Sequence, residues 1–342
     1  MKKLVFILIL LAFFQLQGKA QDVQYSQFYA APLYLNPAFA GSTELTRVGV
    51  NYRNQWPGLD HSFNAYSAYI DHYIMDYNSG VGLIVNGSRE SLANISNMEV
   101  GLIYSYRLQL SDNQFLRFGG QLSYVTRDAA FEELVFGNQI DIDRGQIVGS
   151  TPILPGLDSR QRFFDVHFGM LWNSEKFWLG ASGHHLTSPQ IAFFDDEANN
   201  LATKYSVHGG VKWDLLSGKI NDFFNNTQQH RQLALAFNYK QQDPFNQLDI
   251  GTQLFLEPLI LGLWYRGLPT KNNLPNSESV IALVGFSLPD GLDIGYSFDF
   301  TTSKLGLRNS GGAHEISLRY SFFYGDPSQR NRKRSILPCF KF

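Results

Sequence analysis

One cysteine, Cys339, stands in 342 residues. It excludes an internal disulfide framework and a zinc site built from several cysteines. Charge is scarce as well. Asp, Glu, Lys and Arg make up 17% of the chain, against about 25% in ordinary soluble domains. Neither sign dominates, with 28 basic and 30 acidic residues and a net charge of −2, which excludes a strongly basic nucleic-acid binder. Past the N-terminus no apolar run approaches the roughly 18–20 residues of a membrane-spanning helix. Nucleotide-binding and hydrolase signatures are missing too: the chain has no P-loop, G-x-G-x-x-G, H-E-x-x-H or G-x-S-x-G. The mean hydropathy of −0.18 leaves a transmembrane β-barrel open, because alternating strands average to near neutrality.

What is abundant suits sheet. There are 28 Phe, 17 Tyr and 30 Gly. Aromatic residues favour a pleated, half-buried surface. Residues 1–20 read as a cleaved signal peptide. Lys2 and Lys3 precede an apolar run of about eleven residues, Leu4 to Phe14, and Gly18 and Ala20 supply the small residues before the cut. The next residue is Gln21, not the cysteine of a lipoprotein. Loss of Lys2, Lys3 and Lys19 takes the mature chain to −5. Five bases of the C-terminal stretch, Arg330 to Phe342, offset a body of −10. An acidic body with a basic tail suggests two different contact surfaces.

The body alternates with a period of two. Met98, Val100, Leu102, Tyr104, Tyr106 and Leu108 share one face; Glu99, Gly101, Ser105, Arg107 and Gln109 share the other, with Ile103 as the exception. Three further segments, around Leu122, Tyr296 and Leu318, repeat the pattern. Each has a long apolar, aromatic face opposite glycine and mixed charge. That is the pattern of lipid on one side and a crowded lumen on the other. We count fourteen strands, centred near Val50, Tyr66, Leu83, Leu102, Leu122, Phe168, Leu179, Val211, Leu235, Ile250, Leu261, Leu283, Tyr296 and Leu318. The fold expected is therefore all-β: a transmembrane outer-membrane antiparallel β-barrel spanning 43–323. An even count puts both chain ends on one side, expected to be the periplasm. Connections after strands two, four, six, ten and twelve read as brief, and those after five, seven, eleven and thirteen as longer. Leu216 to His230 breaks the rule by being long where a short inner turn belongs. It reads as a cap on the barrel or as a docking element.

The lumen-facing charges on this assignment include Arg47, Arg53, Glu99, Arg107, Arg117, Asp165, Lys212, Asp249, Asp293, Asp299, Glu315 and Arg319. Both signs occur, so they read as a paired network, not as the single-sign ring of a selective pore. His184-His185 is the one histidine pair. Neighbours on a regular strand point to opposite faces, so the pair should not hold one metal ion jointly. No pattern selects a catalytic Ser/His pair. No metal, cofactor or enzymatic activity is expected.

Two segments fall outside the strand pattern. Residues 21–42 are irregular, hold Pro32 and Pro37 within six residues and carry Tyr25, Phe28, Tyr29, Tyr34 and Phe39. A free tail would not need such apolar side chains. The segment is expected to fold back as a plug or brace at the periplasmic mouth, or to bind a partner. Its candidate residues are Tyr25, Phe28, Tyr34, Asn36, Pro37 and Phe39. Residues 324–342 form a basic tail. Arg332, Lys333, Arg334, Cys339 and Phe340 are candidates for contact with an acidic partner or lipid phosphate, against the plainer reading of a solvated charge run. Cys339 reads as incidental, as part of an apolar contact, or as an intermolecular disulfide or metal ligand.

The opening of the mature chain carries a resemblance. Gln21-Asp22, Gln24-Tyr25-Ser26-Gln27-Phe28, Pro32, Leu35-Asn36-Pro37-Ala38 and Ala40-Gly41-Ser42, followed by Arg53-Asn54-Gln55-Trp56, resemble the PorP/SprF family of type IX secretion system membrane proteins from Bacteroidota. The rest of the chain is similar only in length, signal peptide and strand pattern. The resemblance implies an outer-membrane β-barrel that secretes or anchors cell-surface adhesins, sometimes linked to gliding motility. The partners it implies are a secreted adhesin's C-terminal domain, other components of the secretion system and the lipid bilayer. A structural anchor for the periplasmic lipoprotein ring, or a diffusion porin, stays open beside it.

Overall fold

The computed structural model describes residues 22–324, apart from 92–93, 131–138, 142–143, 145, 148–157, 194–198, 216–230 and 272–273. The proposed signal peptide, the Leu216 to His230 connection and the tail residues Arg332, Lys333, Arg334, Cys339 and Phe340 lie outside the described residues.

Fourteen strands close into one antiparallel barrel. They are β1 Thr46–Gln55, β2 Phe63–Ile74, β3 Ser79–Glu90, β4 Ile95–Ser111, β5 Gln114–Ala129, β6 Arg160–Ser174 and β7 Phe177–His184. The second half comprises β8 Lys204–Leu215, β9 Arg231–Gln242, β10 Phe245–Leu256, β11 Leu259–Lys271, β12 Leu274–Ser287, β13 Leu292–Thr301 and β14 Ala313–Phe322. Each strand pairs with its sequence neighbours. The cylinder is closed by β1 against β14, in register from Thr46 opposite Phe322 to Gln55 opposite Ala313. Closure leaves no unpaired edge, which a lipid-facing sheet requires. All fourteen sequence centres fall inside these strands.

The alternation separates the faces. Val100, Leu102, Tyr104, Tyr106 and Leu108 of β4 are exposed on the outer wall, Leu102 at 66%. Ile103 and Ser105 between them are buried inside. Tyr52, Phe168, Trp213, Phe286 and Tyr320 continue the apolar exterior on other strands. No helix among the described residues is long and apolar enough to cross a membrane; the crossing elements are strands.

The two ends differ. One carries brief turns at 75–78, 112–113, 175–176, 257–258 and 288–291, together with the start of β1 and the end of β14. The other carries the long connections 130–159, 185–203 and 302–312. Not every connection there is long. β9 and β10 are joined by Asp243 and Pro244 alone, and β11 and β12 extend until only 272–273 separate them. The expected long loop after the eleventh strand is therefore mostly paired strand, because the ladder between β11 and β12 continues past irregular register steps at Arg266/Gly267 and Leu268/Lys271.

Leu102 lies near the middle of the longest strand. Leu102→Arg should destabilise the folded barrel by about 2–4 kcal/mol in a bilayer, the cost of a charge at the midplane. Denaturant titration from lipid vesicles measures it. A change within error would mean this face does not meet lipid.

Candidate functional site

The lumen is filled by the chain's own beginning. From Thr46 at the short-turn end the preceding residues turn back into the barrel. Ala31, Leu33, Ala38 and Ala40 have no exposed surface. The segment is compact but irregular: a helical turn, Pro32–Leu35, and a 3-10 turn, Pro37–Phe39. Asn36 sits between them with an extended backbone, and its Oδ1 accepts from Ala38 N at 2.8 Å. Proline at the first position of each turn supplies a preset φ where no hydrogen-bond donor is needed.

Three groups of contacts hold the segment along the barrel axis. At the short-turn end Gly41 N donates to Asp71 Oδ2 at 2.7 Å, and Arg47 Nε donates to Asp71 Oδ1 at 2.8 Å. Arg47 also donates to the Phe39 carbonyl at 3.2 Å. Arg107 pairs with Glu44 and lies over the rings of Tyr73 and Phe115. In the middle, Asn36 Nδ2 donates to the carbonyls of Met170 and Ala181 at 3.0 and 3.1 Å, and stands 3.2 Å from His208 Nε2. Phe39 packs between Trp178 and His208.

Toward the long-loop end lies the densest contact. Ser26 N and Gln27 N both donate to the Glu315 carboxylate, at 2.6 and 3.0 Å. Ser26 Oγ donates to Asp299 and accepts from Arg53 at 2.6 Å and from Arg266 at 3.0 Å. Arg53 pairs with Asp299 at 2.8 Å and with Glu315 at 3.4 Å. Arg266 pairs with Asp249 at 3.0 Å and with Asp299 at 3.1 Å. The Gln27 amide donates to Ser297 Oγ and to the Glu315 carbonyl, and accepts from Ser317 Oγ. All these groups are buried. Lys240 adds a third cation, 3.0 Å from Asp249; three cations set among three carboxylates, with hydrogen bonds from Ser26 and Gln27, is the arrangement that offsets desolvation. Phe28 and Tyr29 pack on Trp264 beside this network. Burial pushes the hydroxyls of Tyr25, Tyr29 and Tyr34 up from their ordinary values.

Asp22, the first described residue, ends the path. Its carboxylate faces Lys204 Nζ at 2.5 Å and His185 Nε2 at 2.8 Å, while its N–H donates to Gln242. Burial alone would raise the Asp22 carboxyl; His185 and Lys204 overcome it and hold it well below the ordinary value. A cavity of about 330 Å³ lies beside it, lined by Tyr25, Tyr34, Glu99, His167, His184 and His185 among others.

Glycine on the lumen wall records how closely the segment approaches. A Cβ on Gly169 would lie 1.9 Å from Asn36 Oδ1, and one on Gly80 would lie 2.1 Å from the Ala40 carbonyl. No larger residue fits at either place without moving the segment.

These positions correct two expectations. The segment does not stop at the mouth where β1 begins. It runs through the lumen, and Asp22 lies at the long-loop end, opposite the start of β1. Strand parity constrains only β1 and β14; the residues before β1 reverse to reach Arg53, Arg266 and Glu315. The histidine pair also behaves differently. β7 ends at His184, and His185 adopts a positive φ of 58°, which breaks the alternation. Both rings come to His167, at 5.1 and 5.4 Å between centroids.

Tyr25, Phe28, Asn36, Pro37 and Phe39 are buried in the lumen, and Tyr34 is half-buried. Of the twelve expected lumen charges, Lys212 is half-buried; Arg47, Arg53, Asp249, Asp299 and Glu315 join the networks above, Arg319 pairs with Asp293, Arg117 lies over the Tyr73 ring, and Asp165 meets His185. Sequence reading missed Asp71, Lys204, Lys240 and Arg266 as lumen charges. It also missed Ser26 and Gln27 as contacts, although both stand in the motif beside Tyr25 and Phe28. Ser26 and Arg53, from the motif's two halves, are bonded to each other.

Closed antiparallel strands, a lipid-facing apolar wall and a lumen packed with polar pairs define an outer-membrane β-barrel with an internal plug-like segment. Three solved structures show a low similarity to the chain. A Pseudomonas aeruginosa FadL homologue is 14% identical, with a TM-score of 0.41, over 84% of this chain and 93% of its own. The monoaromatic hydrocarbon channel TodX, as a deletion mutant, is 13% identical, with a TM-score of 0.44, over 86% and 94%. CdiB from Acinetobacter baumannii is 9% identical, with a TM-score of 0.42, over 81% and 60%. No curated protein sequence matches the chain. The family described as type IX secretion system membrane protein PorP/SprF matches residues 17–320, and the chain belongs to it.

Two substitutions test the plug contacts. Arg53→Met leaves Asp299 and Glu315 with one cation fewer and should cost about 3–5 kcal/mol of stability, as for any broken buried pair. Gly169→Leu should expel Asn36 from its seat. In both, the segment should become open to chymotrypsin at Tyr25 or Phe28 while the barrel still migrates as folded on a semi-native gel. Protection equal to the unaltered chain would show that these contacts do not hold the segment.

Proposed function

We propose that this chain is a plugged outer-membrane barrel that receives the C-terminal domain of a secreted adhesin and holds the adhesin at the cell surface, as in gliding motility. Family membership over residues 17–320 carries the reading. The packed lumen supports it, since a segment this buried disfavours a diffusion pore and leaves docking at the rim and loops as the use of the molecule. In this reading residues 1–20 are an export signal, the short-turn end faces the periplasm, and Asp22 lies toward the outside. The barrel acts by binding, not by catalysis, and needs no cofactor.

A second reading has its own support. The connection 216–230 joins β8 to β9 at the short-turn end, where β14 also leaves the barrel toward the basic tail. A long connection and a cationic sequence that both start from this end suit an anchor for periplasmic components of the secretion system. Arg332, Lys333 and Arg334 would meet an acidic surface, and Cys339 and Phe340 an apolar one.

A mild-detergent pull-down of the tagged barrel from its native membrane separates the readings. Near-stoichiometric recovery of a large adhesin supports the carrier. Recovery of periplasmic lipoproteins alone supports the anchor. A solitary barrel overturns both. The plug has its own test: deleting Gln21 to Pro32 should raise ion conductance in planar bilayers. Unchanged conductance would mean that these residues do not obstruct the lumen.

A further inference from the structure

Beside the N-terminal end of the plug, five strands and one loop bring together a cluster of polar and titratable side chains. Asp165, His167 and His185 each offer one ligand atom, and these atoms lie within 4.8 Å of one another. Asp165 and His167 point inward from β6, two residues apart on one face. His185 reaches them because its left-handed backbone turns it back over the lumen.

The contacts converge on a point. His167 Nε2 is buried and makes no hydrogen bond. Yet Glu99 Oε1 stands 3.2 Å from it and Asp165 Oδ2 3.9 Å from it. His185 Nδ1 faces the same Asp165 oxygen. A tetrahedral ion with bonds of about 2.0–2.1 Å holds its ligand atoms roughly 3.3 Å apart. Glu99 Oε1 to His167 Nε2 matches that figure and Asp165 Oδ2 to His167 Nε2 exceeds it by a few tenths of an ångström, while His185 Nδ1 and Asp165 Oδ2 are in closer, hydrogen-bonded contact that a bound ion would spread apart.

The remaining nitrogen of each histidine is already engaged. His185 Nε2 meets Asp22 Oδ2 at 2.8 Å. His167 Nδ1 meets His184 Nδ1 at 3.1 Å, and His184 Nε2 in turn stands 3.2 Å from the Leu35 carbonyl. Metal-bound histidines almost always have their far nitrogen held by a carboxylate, a carbonyl or water. Glu99 is fixed as well, accepting from Ser123 Oγ and Gln121 Nε2 on Oε1 and from Asn86 Nδ2 on Oε2. The cavity of about 330 Å³ touches Glu99, His167 and His185 and supplies a route of entry.

We propose that Asp165, His167 and His185 bind one zinc-class divalent cation, with Glu99 Oε1 beside its fourth position. Two imidazoles and carboxylate oxygen are a donor set that zinc accepts. The ion takes the place of the proton between His185 and Asp165. It ties β6 to the loop after β7 and, through His185 and Asp22, to the outer end of the plug. It is a structural clasp and transforms no substrate. The inference rests on the lumen geometry and is independent of the adhesin reading.

The test uses the full mature barrel, purified in detergent without a polyhistidine tag and stripped with a chelator. Zn²⁺ titrated calorimetrically should bind at one ion per chain, and Co²⁺ should give the intense visible absorption of a four-coordinate site. Asp165→Asn and His167→Ala should each weaken Zn²⁺ binding at least about 100-fold, beyond the roughly 10–100-fold expected for the supporting Asp22→Asn. His314→Ala, remote from the cluster, should bind as the unaltered chain does. Absence of saturable Zn²⁺ binding by the unaltered chain overturns the proposal. So does a six-coordinate Co²⁺ spectrum, or binding that survives both Asp165→Asn and His167→Ala. If His167→Ala does not fold, His167→Gln takes its place. The two measurements on the unaltered chain stand regardless.

Discussion

A cylinder of fourteen strands is wider than its own inward side chains can fill. About eight strands give an interior that side chains close, and sixteen or more leave an aqueous channel. The intermediate size needs either water or a filler, and here the filler is covalently attached. Much else follows from that. The glycines at 80 and 169 clear space for backbone. Ile84, Ile103, Leu171, Trp178 and Trp264 form apolar patches on a wall that is otherwise polar, and they belong to one core with Phe28, Leu33 and Phe39. The protein thus has two apolar surfaces with different solvents: lipid outside and its own N-terminal segment within.

Ordering some two dozen irregular residues costs about 1–2 kcal/mol each in backbone entropy. Apolar burial alone could not place them uniquely, because a greasy segment can slide in a greasy tube. Register comes from the polar contacts. Ser26 and Gln27 offer two adjacent N–H groups to one carboxylate, Glu315, and Asn36 caps its own turn while reaching two wall carbonyls. A slip of one residue would leave buried cations and carboxylates without partners, which is far more costly than the loss of one apolar contact. The charges therefore set position, while the aromatic residues supply most of the burial.

Strand placement was legible because it is a local property. Period two, brief turns and a lipid-like face can be read within ten residues, and every strand centre was recovered. The path of the N-terminal segment was not, for a physical reason. Its contacts join Ser26 to Asp299 and Gln27 to Glu315, across most of the chain, and no local pattern encodes such a pairing. One clue was present. Ile103 is a bulky apolar residue on the polar face of β4, and such exceptions mark where the wall meets something apolar inside. His185 escaped notice for the opposite reason. Period-two alternation ends with the strand at His184, and the positive φ of His185 turns its side chain to the face that alternation would deny it.

The motif that signals family membership now has a physical content. Its first half supplies Ser26 and Gln27, its second half supplies Arg53, and the two meet in the lumen through a 2.6 Å hydrogen bond. The residues that look most like a recognition sequence are thus spent on holding the plug, and they are buried. A partner that approached from solvent would not touch them. Contact from solvent falls on other surfaces than these. The residues that mark membership therefore belong to the interior, where the packing of plug against wall defines the kind of barrel this is.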